Sequence, residues 1–121
     1  MDHERFIDTI MELDENIRFA TICNMEGNQK VTRIRKGITP YLTPDETKET
    51  LKHSVNAWKA RMKHYDKIGK GLYTLAVYEK LRRVTVPLKD GHLLLVTIDK
   101  KGGKQIIDRV LNQIYGDYTQ F

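Results

Sequence analysis

The 121-residue chain has one cysteine, three prolines and one tryptophan. A lone Cys23 cannot form an internal disulfide and suits a reducing cytosol, so a cytoplasmic location is expected. No apolar run approaches the roughly 20 residues that a bilayer-spanning helix needs, so no membrane role is expected. The opening Met1-Asp2-His3-Glu4 is acidic and lacks the basic-then-apolar order of a signal peptide. There is no internal repeat, no low-complexity segment and no domain boundary, so residues 1–121 read as a single domain.

Spacings that carry chemistry are also missing. Gly69-Lys70-Gly71 and Gly102-Gly103-Lys104 do not fit a phosphate-binding loop. The second opens a helix, but a plain strand-to-helix turn explains it. His53 and His64 fall about three turns apart on one helix, too far for one metal ion. Glu49 and His53 could share a ligand role, yet a structural site normally takes four ligands. No metal and no cofactor are therefore expected. Cys23 reads as a small buried hydrophobe. No Ser-His-Asp or Cys-His-Asp arrangement is defensible, so the chain is not expected to be an enzyme.

What is present is a globular pattern with a heavily charged surface: 40% hydrophobic, 31% charged, net charge +5. The feature around which the rest is arranged is a single long helix over 43–68. Thr43-Pro44-Asp45-Glu46 supplies an N-cap threonine, a first-turn proline and a capping-box glutamate. Leu51, Val55, Trp58, Met62 and Tyr65 follow at four-three spacing, and Gly69 offers a left-handed stop. Before it, Phe6, Ile7, Ile10 and Leu13 mark a short amphipathic helix over 2–13. A strand over 17–24 carries apolar residues on both faces, which places it inside a sheet. Met25-Glu26-Gly27-Asn28 is a hairpin turn. The return strand, 29–36, carries Lys30, Arg33, Arg35 and Lys36, as an edge guarded by charge does. A loop over 37–42 contains Pro40.

Strands at 72–79, 82–88 and 92–99 follow the long helix. Asp90-Gly91 is the strongest hairpin signal of the chain. The very apolar 92–99 segment belongs at the centre. A last helix over 104–115 turns Ile106, Ile107, Val110, Leu111 and Ile114 inward. Residues 116–121 form a tail with two aromatics. The expected class is α/β (α+β), in the order α-β-β-α-β-β-β-α. The long helix covers one sheet face and the two terminal helices the other.

With this order, the segments IRFATICNMEGN and VTVPLKDGHLLLVTID resemble those of the roadblock/longin group of profilin-like domains. The chain looks most similar to a family of small proteins from ammonia-oxidising archaea, whose members carry comparable IRFA, LYTLAVYEK and DGHLLLVT segments. The resemblance implies a five-stranded antiparallel sheet in the order 2-1-5-4-3. It also implies a homodimer in which the middle helix and third strand of two copies pair, and a platform for small Ras-like GTPases. One departure from the pattern is a middle helix longer and more basic than usual.

The candidate interaction surface lies on that helix. Lys48, Lys52, Lys59 and Lys63 form a stripe beside the apolar one. It reads either as a solvated face or as a ridge for an acidic partner. With Lys30, Arg33, Arg35, Lys36, Arg82 and Arg83, the ridge also admits weak nucleic-acid binding, though no recognition motif accompanies it. A helix over 43–68 would be roughly 39 Å long. That spans a domain of roughly 35 Å, so its second half would protrude. Leu51 and Val55 are expected on the sheet; Trp58 and Met62 divide evenly between core and exposed seam. Trp58, Met62 and Tyr65 therefore join the lysines as candidate surface residues. The competing reading is a small-molecule sensor, which requires a cavity of several hundred Å3 between sheet and helix.

Overall fold

A computed structural model describes residues 1–116; all but Gly116 of the tail expected at 116–121 lies outside the described residues. The elements are α1 (His3–Glu12), β1 (Ile17–Cys23), β2 (Gln29–Ile34), α2 (Pro44–Met62), α3 (Tyr65–Ile68), β3 (Thr74–Val77), β4 (Leu81–Pro87), β5 (Leu93–Asp99) and α4 (Lys104–Tyr115). The five strands form one sheet in the order β2-β1-β5-β4-β3, every neighbouring pair antiparallel. Both the class and the strand order match the expectation.

Sequence periodicity assigns the two sheet faces. Ala20, Ile22, Val84, Val86, Leu94, Val96 and Ile98 face α1 and α4, which contribute Ile7, Ile10, Ile106, Val110 and Leu111. Cys23, Leu93 and Leu95 face Leu51, Val55 and Trp58 of α2. Strands β1 and β5 thus bury both faces, as their unbroken apolar content requires. The capping box forms as read: Thr43 Oγ1 accepts the Glu46 N–H at 3.1 Å, and Glu46 Oε1 accepts the Thr43 N–H at 2.9 Å. The Asp90-Gly91 turn forms as well, with Gly91 at φ +87° and the Leu88 N–H donating to the His92 carbonyl at 2.8 Å.

The long helix does not run to Ile68. It stops at Met62, and His64 leaves helical geometry at φ −114°, ψ 8° before the single turn of α3. An uninterrupted helix would carry the chain away from β4, whereas β3 must pair with it. The break lets the chain double back, and that return covers Trp58. Strand β3 is also shorter than expected, beginning at Thr74.

Candidate functional site

Helix α2 and the turn after it place the residues of the expected surface very differently. Lys48, Lys52, Lys59 and Lys63 are exposed, and Met62 is 37% exposed. Trp58 is not a surface residue: it is 1% exposed, and its Nε1–H donates to Thr85 Oγ1 at 2.9 Å. Arg61 lies over the indole at 4.8 Å. Gly71 lies so close that a Cβ there would fall 2.5 Å from the ring. The expectation failed because the returning segment after α3 closes over a ring that a straight helix would have left in water. Tyr65 is half-buried and its hydroxyl is enclosed without a hydrogen bond. Of the apolar trio, only Met62 remains a surface candidate. Lys52 packs its stem on the β1–β2 turn, where a Cβ at Gly27 would lie 2.8 Å from it.

A groove of about 660 Å3 opens on the α2 side of the sheet. Its floor is Phe19, Leu95, Thr97 and Arg83; its walls are Thr47 and Thr50 of α2, the loop through Pro40, Tyr41 and Leu42, and the β3–β4 turn. The lining is mostly apolar. The loop is held by Arg18, which donates to Asp99 at 3.3 Å and to the Thr39 carbonyl at 3.1 Å. The same guanidinium lies 4.4 Å from the Tyr41 ring centre, and Lys80 lies 5.3 Å from it.

Arg83 is the polar exception on the floor. It donates to Thr50 Oγ1 at 2.9 Å. Among the described residues, no carboxylate lies within ion-pair distance of it. Burial holds its guanidinium below the ordinary value, against a smaller opposing effect of Tyr78. A half-buried cation without an anion is costly, so an anion arriving there would be favoured. No local signal marks Arg83 in advance, because in the string it is one of several surface cations.

Three of those cations are engaged within the chain. Arg33 pairs with Asp8 at 2.8 Å and with Glu4. Arg35 donates to the carbonyls of Ile17, Met11 and Asp14. Arg82 donates to the Gly102 carbonyl at 2.6 Å. The basic surface is therefore the lysine ridge, with few arginines in it.

The two sheet edges differ. The β2 edge carries Lys30 and Arg33 and has α1 packed beside it. The β3 edge carries no charge. Tyr73, Leu75 and Val77 alternate onto one face, and Val77 is 67% exposed. Ile68, just before the strand, is 83% exposed. The Tyr78 N–H donates to the Leu81 carbonyl across the turn. By antiparallel alternation, the Ala76 N–H then faces β4 and those of Leu75 and Val77 face outward.

Among the described residues, Glu49 and His53 gather no further ligand. Among the described residues, the one group of three or more metal-ligating side chains is His3, Asp90 and His92.

No family model matches the sequence, and no curated protein matches it. Solved structures do match. The gliding protein MglB from Thermus thermophilus superposes with a TM-score of 0.70 at 12% identity, over 98% of this chain and 92% of that one. A Roadblock/LC7 domain from Streptomyces avermitilis gives 0.68 at 9% identity, over 94% and 89%. An MglB described in a tetrameric arrangement gives 0.69 at 13% identity, over 98% and 90%. At these identities the likeness shows the fold, and the fold is that of roadblock domains.

Proposed function

We propose that this chain is a non-enzymatic, cytoplasmic interaction domain that works as a homodimer and presents a platform to a protein partner, a small GTPase or another signalling protein. The observation that carries the reading is the β3 edge. An uncharged apolar strand with outward N–H groups is a template for another strand, and monomeric domains guard such edges. Here the opposite edge is guarded and this one is not. Pairing two β3 strands joins two sheets into one, with Ile68, Leu75 and Val77 near the seam. A stable seam buries about 1,200–2,000 Å2 in total, more than one four-residue strand supplies, so α2 of each copy contributes Met62 and its neighbours. The tetrameric arrangement named for one MglB is in keeping with a fold that self-associates.

Sedimentation velocity tests the reading. The protein should be a dimer at tens of micromolar, and Val77→Lys should give a folded monomer with unchanged far-UV circular dichroism. A wild-type chain that stays monomeric at about 300 μM, an affinity weaker than about 5 kcal/mol of association, refutes it.

A second reading rests on the groove. About 660 Å3 of mostly apolar space with Arg83 at its floor suits a small molecule with an apolar body and an anionic head. Decanoate is a suitable probe. It should shift amide resonances of Phe19, Leu95 and Arg83, and Arg83→Met should abolish the shifts. Shifts scattered over the surface, or none, remove this reading.

A further inference from the structure

The fold brings His3, at the start of α1, against Asp90 and His92 of the β4–β5 hairpin. His3 Nε2 lies 2.6 Å from Asp90 Oδ2, and His92 Nδ1 lies 3.2 Å from Asp90 Oδ1. The imidazoles meet edge to face with centres 4.5 Å apart. Two imidazole nitrogens and one carboxylate oxygen all fall within 4.8 Å of one another.

Two details separate this group from an ordinary surface ion pair. His92 Nδ1 is shielded from solvent, and its polar neighbour, Asp90 Oδ1 at 3.2 Å, is not aligned for a hydrogen bond. A ring nitrogen enclosed without a well-aligned hydrogen bond is costly, and a metal ion shared with Asp90 satisfies it directly. Asp90 is also held in place, because its Oδ1 accepts the His92 N–H at 3.1 Å. The turn therefore fixes the carboxylate before any ligand arrives.

We infer that His3, Asp90 and His92 form a binding site for a divalent borderline metal ion, Zn2+ foremost. Imidazole nitrogens with one carboxylate oxygen suit Zn2+ over Mg2+ or Ca2+, which prefer oxygen ligands. Three protein ligands leave the fourth tetrahedral position for water or for a group from a partner. The ion would tie α1 to the β4–β5 hairpin, elements 87 residues apart in the chain.

Isothermal titration of the full chain, carrying no histidine tag, with Zn2+ tests this. One ion per chain should bind with a micromolar Kd. The melting temperature should rise by about 10 °C at a hundredfold excess over Kd. His3→Gln lies outside the core and should weaken binding at least tenfold, as should Asp90→Asn, which keeps an acceptor for the turn. The double variant His53→Ala/His64→Ala removes the other two histidines and should leave binding unchanged. No saturable binding below about 100 μM, or binding that survives His3→Gln and falls in the double variant, overturns the assignment.

Discussion

Replacing Trp58 with alanine separates the core that the structure shows from the seam that the helix pattern suggested. The indole is fully buried, so truncation removes its transfer free energy and leaves a cavity, about 3–5 kcal/mol together. The Arg61 contact adds about 0.5–1 kcal/mol. Losing the indole N–H orphans nothing on the other side, because Thr85 Oγ1 is still hydrogen-bonded to Thr74. A total of about 4 kcal/mol follows, a large part of the 5–15 kcal/mol that a domain of this size usually has. With a urea slope of about 1.5 kcal/mol per molar, the midpoint should fall by about 2.5–3 M. Far-UV circular dichroism is the right probe, because Trp58 is the only tryptophan and fluorescence would vanish with it. Dimerisation stabilises the native state by mass action, so the measurement belongs at two protein concentrations. The reasoning fails if Trp58→Ala costs under about 1 kcal/mol while the variant sediments as a monomer, since that is the signature of an interface anchor.

Gly71→Ala should cost about 1–3 kcal/mol, measured by the same urea titration, because the new methyl meets the rigid, buried Trp58 ring; paired with Trp58→Ala, most of that cost should disappear. Burial pushes the Cys23 thiol up to about 11, so at pH 8 the folded protein should react with iodoacetamide at least about a hundredfold more slowly than the urea-unfolded chain; equal rates would contradict its burial. The Asp99 carboxyl is held below its ordinary value, first by the Lys101 N–H at 3.0 Å and then, against burial, by Arg18. Its stabilising contribution is therefore present above the unfolded value and is lost as pH falls through the lower folded value. Asp99→Asn should cost about 0.5–1 kcal/mol near neutral pH, and urea titrations of variant and wild type should converge as the pH falls through the lowered folded value.

The legible parts of the fold were those written in short stretches of sequence. The Thr43–Glu46 capping box, the Asp90-Gly91 turn and the two-faced apolar content of β1 and β5 are local signals, and each formed. The break after Met62 was not legible, because no glycine or proline marks Lys63-His64. It follows from the need to bring β3 back alongside β4, a tertiary demand that overrides helix propensity. The fate of Trp58 depended on that break, so the two errors are one. The groove and the His3–Asp90–His92 group were illegible for another reason: each gathers residues from distant elements, and periodicity within one element says nothing about such meetings.

The same contrast changes what the net charge of +5 means. Read as a string, Arg33, Arg35, Arg82 and Arg83 extend the lysine stripe of α2 toward a nucleic-acid surface. In the folded chain, Arg33 is paired with acids of α1, and Arg35 and Arg82 donate to backbone carbonyls. Arg83 faces a groove lined mostly by carbon. The cations that reach solvent from α2 are mainly lysines, hydrated point charges that lack the planar fork favoured for phosphate and base recognition, and its one arginine, Arg61, lies over the Trp58 indole. The tryptophan that could have stacked a base is in the core. A surface of this kind attracts acidic groups at long range and lets apolar contacts decide specificity. The exposed apolar side chain beside the ridge is Met62, so the protein partner proposed above has an apolar contact there beside the lysines.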